Sequence, residues 1–313
     1  MGLDLGTTQM SVCAASRVFR EPAALAIDNR TRRVLAVGQA AYHMQGRSGG
    51  HIEVVHPVRD GMAAVPHLIA VLIRHALQHG LGWRRFLARP RVSVATPLSL
   101  SPIEQEALQE ALITAGAGRS QLIPTPMAAR TGAASDSIMV VDLGATRTQA
   151  AVLHQGELIA GETLESGGRA LDVSISRWLR SERGLEVAPK QAETLKRYIA
   201  CAVATDATSK SPVTGRELRS GLPLTMSLDS NELRPALMGP LSEVASLVHR
   251  VLAKTPPELA TDLLDHGLVL TGGGARLRGL AQYLQTAVHL PVAVAHHPEV
   301  CAVVGSTGKE AVR

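Results

Sequence analysis

The stretch DLGATRTQAAVL, residues 142–153, has a counterpart near the start of the chain in DLGTTQMSVCAA, residues 4–15. Each places an acid at the end of an apolar run, follows it with a glycine turn and small hydroxylated residues, and then resumes an alternating apolar strand. One Asp-x-Gly turn is ordinary hairpin chemistry and decides little. Two of them suggest an internal duplication, which must then show in the flanking sequence. After the first copy, RVSVATP (91–97) reads as a strand, Ser101–Ala115 as a helix and Gln121–Ile123 as a strand. A proline and an Ala-rich helix from Met127 follow. After the second copy, GLVLTGG (267–273) reads as a strand, Leu277–Val288 as a helix and Pro291–Ala295 as a strand. Pro298 and a helix of small residues from Val300 close this copy. The same elements in the same order predict two related α/β domains facing one another.

Composition fits that reading. A chain of 313 residues can hold two domains, each with its own core. Apolar residues make up 45% but aromatics only 2%, so the cores must be built of Leu, Val, Ala and Ile. No apolar run reaches the length of a membrane span. The N-terminus lacks the pattern of a secretory signal. Cys13, Cys201 and Cys301 are widely spaced and odd in number, as expected of reduced thiols in the cytoplasm. The cysteines and histidines form no familiar metal-binding spacing. The net charge of +5 comes mostly from Arg. It suits an anionic surface, but a compositional bias toward Arg and Ala explains it equally well. With no basic helix and no aromatic platform, nucleic acid is not expected as a partner.

Two glycine turns facing each other offer backbone N–H groups to phosphate oxygens from both sides. The acids before them, Asp4 and Asp142, suit Mg²⁺ or its waters, because hard cations prefer carboxylate oxygen. A third turn, Thr271-Gly272-Gly273-Gly274-Ala275, is expected to open the helix at Leu277, where an anion is favoured.

This order of motifs resembles the actin-like ATPase superfamily. Several segments are similar to its MreB branch of bacterial cell-shape proteins. They include EPAALAID (21–28), HPVRDGMAA (56–64), RPRVSVATP (89–97), PMAA (126–129) and GLPLTMSL (221–228). TPPELATDLLDHGLVLTGGGARLRGL (255–280) and LPVAVAHHPEVCAVVGSTG (290–308) extend the likeness over nearly the whole chain. The resemblance implies an α/β actin-like fold, a ribonuclease H-like duplication around a nucleotide cleft. Residues 1–27, 61–136 and 298–313 would form the large part of domain I, with 28–60 as its small insertion. Residues 137–170 and 231–297 would form the large part of domain II, with 171–230 as its insertion. It also implies ATP and Mg²⁺ as ligands, and self-assembly into filaments or co-assembly with a fuller homologue. Those filaments would lie on the anionic inner face of the membrane and organise the cell-wall synthesis machinery.

By the same resemblance, Gly6, Thr7, Thr8 and Gln9 form the first phosphate loop and Gly144, Ala145 and Thr146 the second. Gly167, Gly168, Glu193, Lys196 and Gly272–Ala275 complete the nucleotide site. The chain departs from the family in places that matter. The family's Gly-Gly-Thr after Gly144 becomes Ala145-Thr146-Arg147. Side chains there are costly wherever the turn needs positive φ or brings its backbone against phosphate. Arg147 replaces a threonine that helps position the attacking water, although a guanidinium could itself neutralise phosphate. Thr125 stands where the family carries the glutamate that orients that water. A hydroxyl is no general base near neutrality, which forfeits roughly 10²–10⁴ in rate. Tyr198 replaces a further glutamate near the adenosine. Only Met1–Leu3 precede Asp4, where relatives carry several more residues and sometimes an amphipathic membrane helix.

Three smaller features complete the reading. GWRRFLARPR (82–91) combines Trp83, Phe86 and Leu87 with four arginines after an amphipathic helix (65–78). Such a loop suits either entry into an anionic membrane or folding back over the neighbouring helix. Ser101-Pro102 followed by Glu104 predicts a capping box. Residues 205–220 read as a surface loop. The sequence therefore favours a filament subunit that binds ATP and hydrolyses it weakly or not at all. The alternatives are a conventional ATPase with a substituted catalytic residue and a nucleotide-free scaffold of the same fold.

Overall fold

Two five-stranded sheets of the same topology organise the chain. The computed structural model describes residues 1–15, 17–46, 50–59, 62–63, 66–82, 89–130 and 136–308. Its contacts divide the chain into two units, Met1–Ala134 with Glu299–Arg313, and Ser135–Pro298. In the first unit the strands lie in the order Arg119–Pro124, Arg91–Thr96, Gly2–Leu5, Gln9–Ala14, Arg17–Pro22. Three of them form an antiparallel meander, and the other two run parallel to Gly2–Leu5. In the second unit the order is Glu157–Leu164, Thr148–His154, Ser137–Leu143, Leu268–Thr271, Val292–Val294. Again a three-stranded meander is extended by two parallel strands. The duplicated pattern in the sequence is thus a duplicated sheet.

Parallel neighbours need a crossover, and here helices supply it. Pro102–Ala115 joins the two parallel strands of the first unit and Leu280–Val288 those of the second. Ser101 caps the former as its sequence predicts. Its hydroxyl accepts from the Glu104 amide at 3.4 Å, while the Glu104 carboxylate accepts from the Ser101 amide at 2.8 Å. Ser137–Leu143 is buried along almost its whole length, as befits a central strand covered on both faces.

Each unit has its own core. Leu3, Met10, Ile73, Val94 and Leu112 centre the first, and Met139, Val152, Ile175, Leu237 and Leu270 the second. Among the described residues, no Phe, Tyr or Trp belongs to the fully buried hydrophobic set.

Each unit also carries a small three-stranded sheet. In the first it comprises Val34–Val37, Leu25–Asp28 and Ile52–Val55, and in the second Leu185–Glu186, Lys210–Glu217 and Pro223–Asp229. The latter corrects the expectation of a loop over 205–220. Lys210–Glu217 is a strand paired with Pro223–Asp229 in antiparallel register. Val213 is its buried anchor, and a Cβ on Gly215 would lie 2.9 Å from the Leu185 side chain. The polar residues read as loop formers are the outward face of a half-buried strand.

Candidate functional site

In both units the singled-out residues cluster at the carboxyl ends of the parallel strands, where open α/β sheets bind ligands. In the first unit Asp4 pairs in register with Ala95 on one side and Ser11 on the other. The chain then turns through Gly6, Thr7 and Thr8 to Gln9, and the Gly6 amide donates to the Gln9 carbonyl at 3.0 Å. Thr7 is buried. Thr125 follows the end of Arg119–Pro124, next to Thr96 in the neighbouring strand. Its hydroxyl donates to the Thr96 carbonyl at 3.0 Å, which commits its proton to the backbone.

The second unit repeats the turn. The Gly144 amide donates to the Arg147 carbonyl at 2.8 Å, so Arg147 occupies the place of Gln9. Gly144, Ala145, Thr146 and Arg147 all keep negative φ. The turn therefore needs no left-handed residue, and side chains at Ala145 and Thr146 carry no backbone strain. The carbonyls of Gly144 and Ala145 accept from the amides of Gly168 and Arg169 at 3.0 and 2.7 Å. The amino end of helix Gly168–Arg183 is therefore spent on the turn itself. A Cβ on Gly167 would sit 2.7 Å from the Gly144 carbonyl and 2.8 Å from the Arg147 amide, so this glycine is demanded by close packing. Among the described residues, the amides of Ala145 and Arg147 donate to no protein acceptor.

Arg147 itself is buried. Its Nε donates to Glu165 at 2.9 Å, and its Nη1 has no partner. Asp142 accepts from the Thr271 hydroxyl at 3.0 Å. Burial pushes its carboxyl up to about 6, against the opposing effect of that hydrogen bond. A cation beside it would relieve the cost of ionising it.

The third turn departs from its expected form. Gly272, at φ 80, heads a single 3₁₀ turn, Gly273–Arg276, and Leu277 then leaves the helical region at ψ 124. The α-helix begins at Leu280, after the left-handed Gly279. The glycines thus do not head the long helix, and no long-helix dipole points from them. Gly272 and Gly274 are required by packing, since a Cβ on either would lie 2.7 Å from Leu143 atoms. Gly273 faces open space, and beside it Ala275 is buried.

Lys196 and Glu193 do not pair with each other. Lys196 Nζ donates to the Gly168 carbonyl and to Asp172, both at 2.8 Å, tying helix Pro189–Tyr198 to the glycine pair. Glu193 pairs with Arg197 at 2.7 Å, and Tyr198 is exposed. The structure thus gathers Asp142, the 144–147 turn, Gly167, Gly168, Lys196 and the 272–275 turn in one unit. Sequence reasoning missed Asp172, whose only signal is its place one turn into the helix after the glycine pair. Trp83, Phe86 and Leu87 lie outside the described residues. Among the described residues, no helix is long and apolar enough to cross a membrane.

Comparison with known proteins agrees with this architecture. The sequence model of the family described as MreB/Mbl protein matches residues 1–312. Cell shape-determining protein MreB of Escherichia coli (strain K12) is 34% identical over 318 residues, covering 97% of this chain and 91% of the relative. The crystal structure of MreB5 of Spiroplasma citri bound to ADP superposes with a TM-score of 0.90 at 28% identity, covering 98% of this chain and 94% of that one. A MamK double helical filament shares the fold at a TM-score of 0.77 and 18% identity, covering 99% and 98% of the two chains.

Proposed function

The chain belongs to the MreB/Mbl family of actin-like, cell shape-determining proteins, and from that premise we propose that it is a filament subunit that binds ATP with Mg²⁺ and hydrolyses it weakly or not at all. One observation carries the nucleotide reading: the 144–147 turn keeps unspent amides at Ala145 and Arg147 beside a glycine, Gly273, that faces open space. Unspent amides in a tight turn are the usual cradle for phosphate oxygens. In this reading Gly6–Gln9 and Gly144–Thr146 hold phosphates, and Asp4 and Asp142 hold Mg²⁺ through its waters. Gly167, Gly168, Glu193, Lys196 and Gly272–Ala275 line the rest of the nucleotide site. The MreB5 relative, which was solved with ADP, supports the ligand class.

The weakness of hydrolysis rests on Thr125 and Arg147. The Thr125 hydroxyl donates to a carbonyl and offers no base, and Arg147 stands where the family uses a threonine. Self-assembly is supported by the filament form of MamK, a protein of the same fold. Partnership with a fuller homologue, the anionic inner membrane face through Trp83, Phe86 and Leu87, and the cell-wall synthesis machinery belong to the same reading. So does a division of each unit into a large part and an insertion, at residues 28–60 and 171–230.

Equilibrium binding of ATP with Mg²⁺ to the purified chain is the first test, with Asp4→Ala as control. Tight binding that weakens in Asp4→Ala is the expected result. No binding at millimolar ATP would leave a scaffold with an actin-like fold and sink the nucleotide reading.

A further inference from the structure

We propose that Glu21, His75 and His79 form a binding site for a divalent transition cation of the zinc class, which clamps strand Arg17–Pro22 to helix Pro66–Leu81. One ligand atom from each residue lies within 4.8 Å of the others. The two histidines sit four apart on one helical face, so both rings project toward the same point. Glu21, from the edge strand, pairs with His75 Nε2. This corrects the expectation that the histidines form no metal-binding spacing: His75 and His79 stand four apart on one helix, and only the fold brings the Glu21 carboxylate to them.

The groups around the cluster already orient it, as outer partners do in metal sites. The Glu21 Oε2 atom accepts from the Gln39 amide at 3.0 Å, which leaves Oε1 turned toward His75. Gly38 makes room for the carboxylate, because a Cβ there would collide with it. His79 Nδ1 lies 3.0 Å from the His75 carbonyl. A carbonyl only accepts, so Nδ1 carries the proton and Nε2 keeps a free lone pair for a cation. The His79 ring is also fixed in plane, stacked on Phe19 at a centroid distance of 4.2 Å and 8°.

The donor set is two imidazole nitrogens and one carboxylate oxygen. That combination suits zinc and its neighbours better than Mg²⁺ or Ca²⁺, which prefer all-oxygen shells. A cation here would take the place of the proton shared by His75 Nε2 and Glu21, releasing it to solvent. His79 is exposed, so a cation can enter from its side, and a water can fill the fourth position.

The test uses the full chain, freed of nucleotide and treated with chelator, then dialysed against ZnCl₂. Bound metal is counted by elemental mass spectrometry, and the thermal midpoint is recorded with and without zinc. The wild type is expected to retain one equivalent and to melt higher with zinc. In His79→Ala the apparent affinity should fall roughly tenfold or more, given that even outer-shell changes cost that much. The exposed position of His79 keeps this variant folded, and its midpoint without zinc provides the check. A wild type that retains no zinc overturns the proposal. An unchanged stoichiometry and midpoint shift in His79→Ala also overturns it, by placing the metal elsewhere.

Discussion

Arg147 carries a charge into a place where a single partner meets it. Its Nε reaches Glu165, a half-exposed carboxylate, while Nη1 is buried without an acceptor. A buried donor left unpaired costs about 1–3 kcal/mol, and a buried ion pair is often replaced by an apolar side chain at no cost or with a gain. Arg147→Met keeps the apolar stem of the side chain and removes the unpaired donor, and Glu165, largely exposed, stays solvated without its partner. The nucleotide-free variant should therefore be more stable than the wild type by about 1–3 kcal/mol in denaturant titration. Equal or lower stability would mean that the Glu165 pair outweighs the orphaned donor. The turn that holds Arg147 was legible in the sequence because Asp-x-Gly is a local signal. What could not be read there is that Ala145 and Thr146 fit without strain, since that depends on backbone angles alone. The grouping of Glu21 with His75 was equally hidden, because 54 residues separate them and only sheet and helix packing joins them.

At the scale of elements, one carboxylate adds a polar tie between the meander of the second unit and the long helix packed on it. Glu162, on strand Glu157–Leu164, accepts from Lys254 at 2.8 Å and from Arg250 at 2.5 Å, at the end of helix Pro235–Ala253. These bonds, Lys254 first and then Arg250, hold the Glu162 carboxyl below its ordinary value of 4.5. A lowered folded-state value means stabilisation that is fully present above the unfolded value and is lost as pH falls through the folded one. Glu162→Gln should therefore melt slightly below the wild type at neutral pH. The gap should close as pH drops below about 4.5 and shrink in high salt, because exposed ion pairs are screened. A gap that persists at low pH would assign the effect to packing instead. Ser137–Leu143 was legible in the sequence as a continuous apolar run, and Pro102–Ala115 through its Ser101–Glu104 capping box. Lys210–Glu217 was not, because one buried valine in eight residues leaves too little alternation to tell a half-covered strand from a loop. The helix expected at Leu277 starts later because Gly279 adopts the left-handed conformation that separates it from the glycine turn.

For the whole molecule, the repeated sheet means that one architecture was used twice and then diverged. Gly6 and Gly144 close the same four-residue turn, and both units place it at the carboxyl ends of their parallel strands. In the proposed reading the divergence falls on Thr125 and Arg147 and leaves the repeated sheets intact. The proposed function predicts that the chain assembles with ATP and stays assembled, because slow hydrolysis would reset it only slowly. Sedimentation and light scattering after addition of ATP and Mg²⁺ test this directly, with phosphate release followed in the same sample. The wild type should form sedimenting polymer that persists while little phosphate appears. In Thr125→Glu, paired with Arg147→Thr to restore the family's residues, phosphate release should rise by up to roughly 10²–10⁴, and the polymer should turn over faster. Rapid phosphate release by the wild type would show that another group does the work of the missing carboxylate. Polymer that forms equally well without nucleotide would detach assembly from the phosphate turns altogether, and the unspent amides of the 144–147 turn would then need a different ligand.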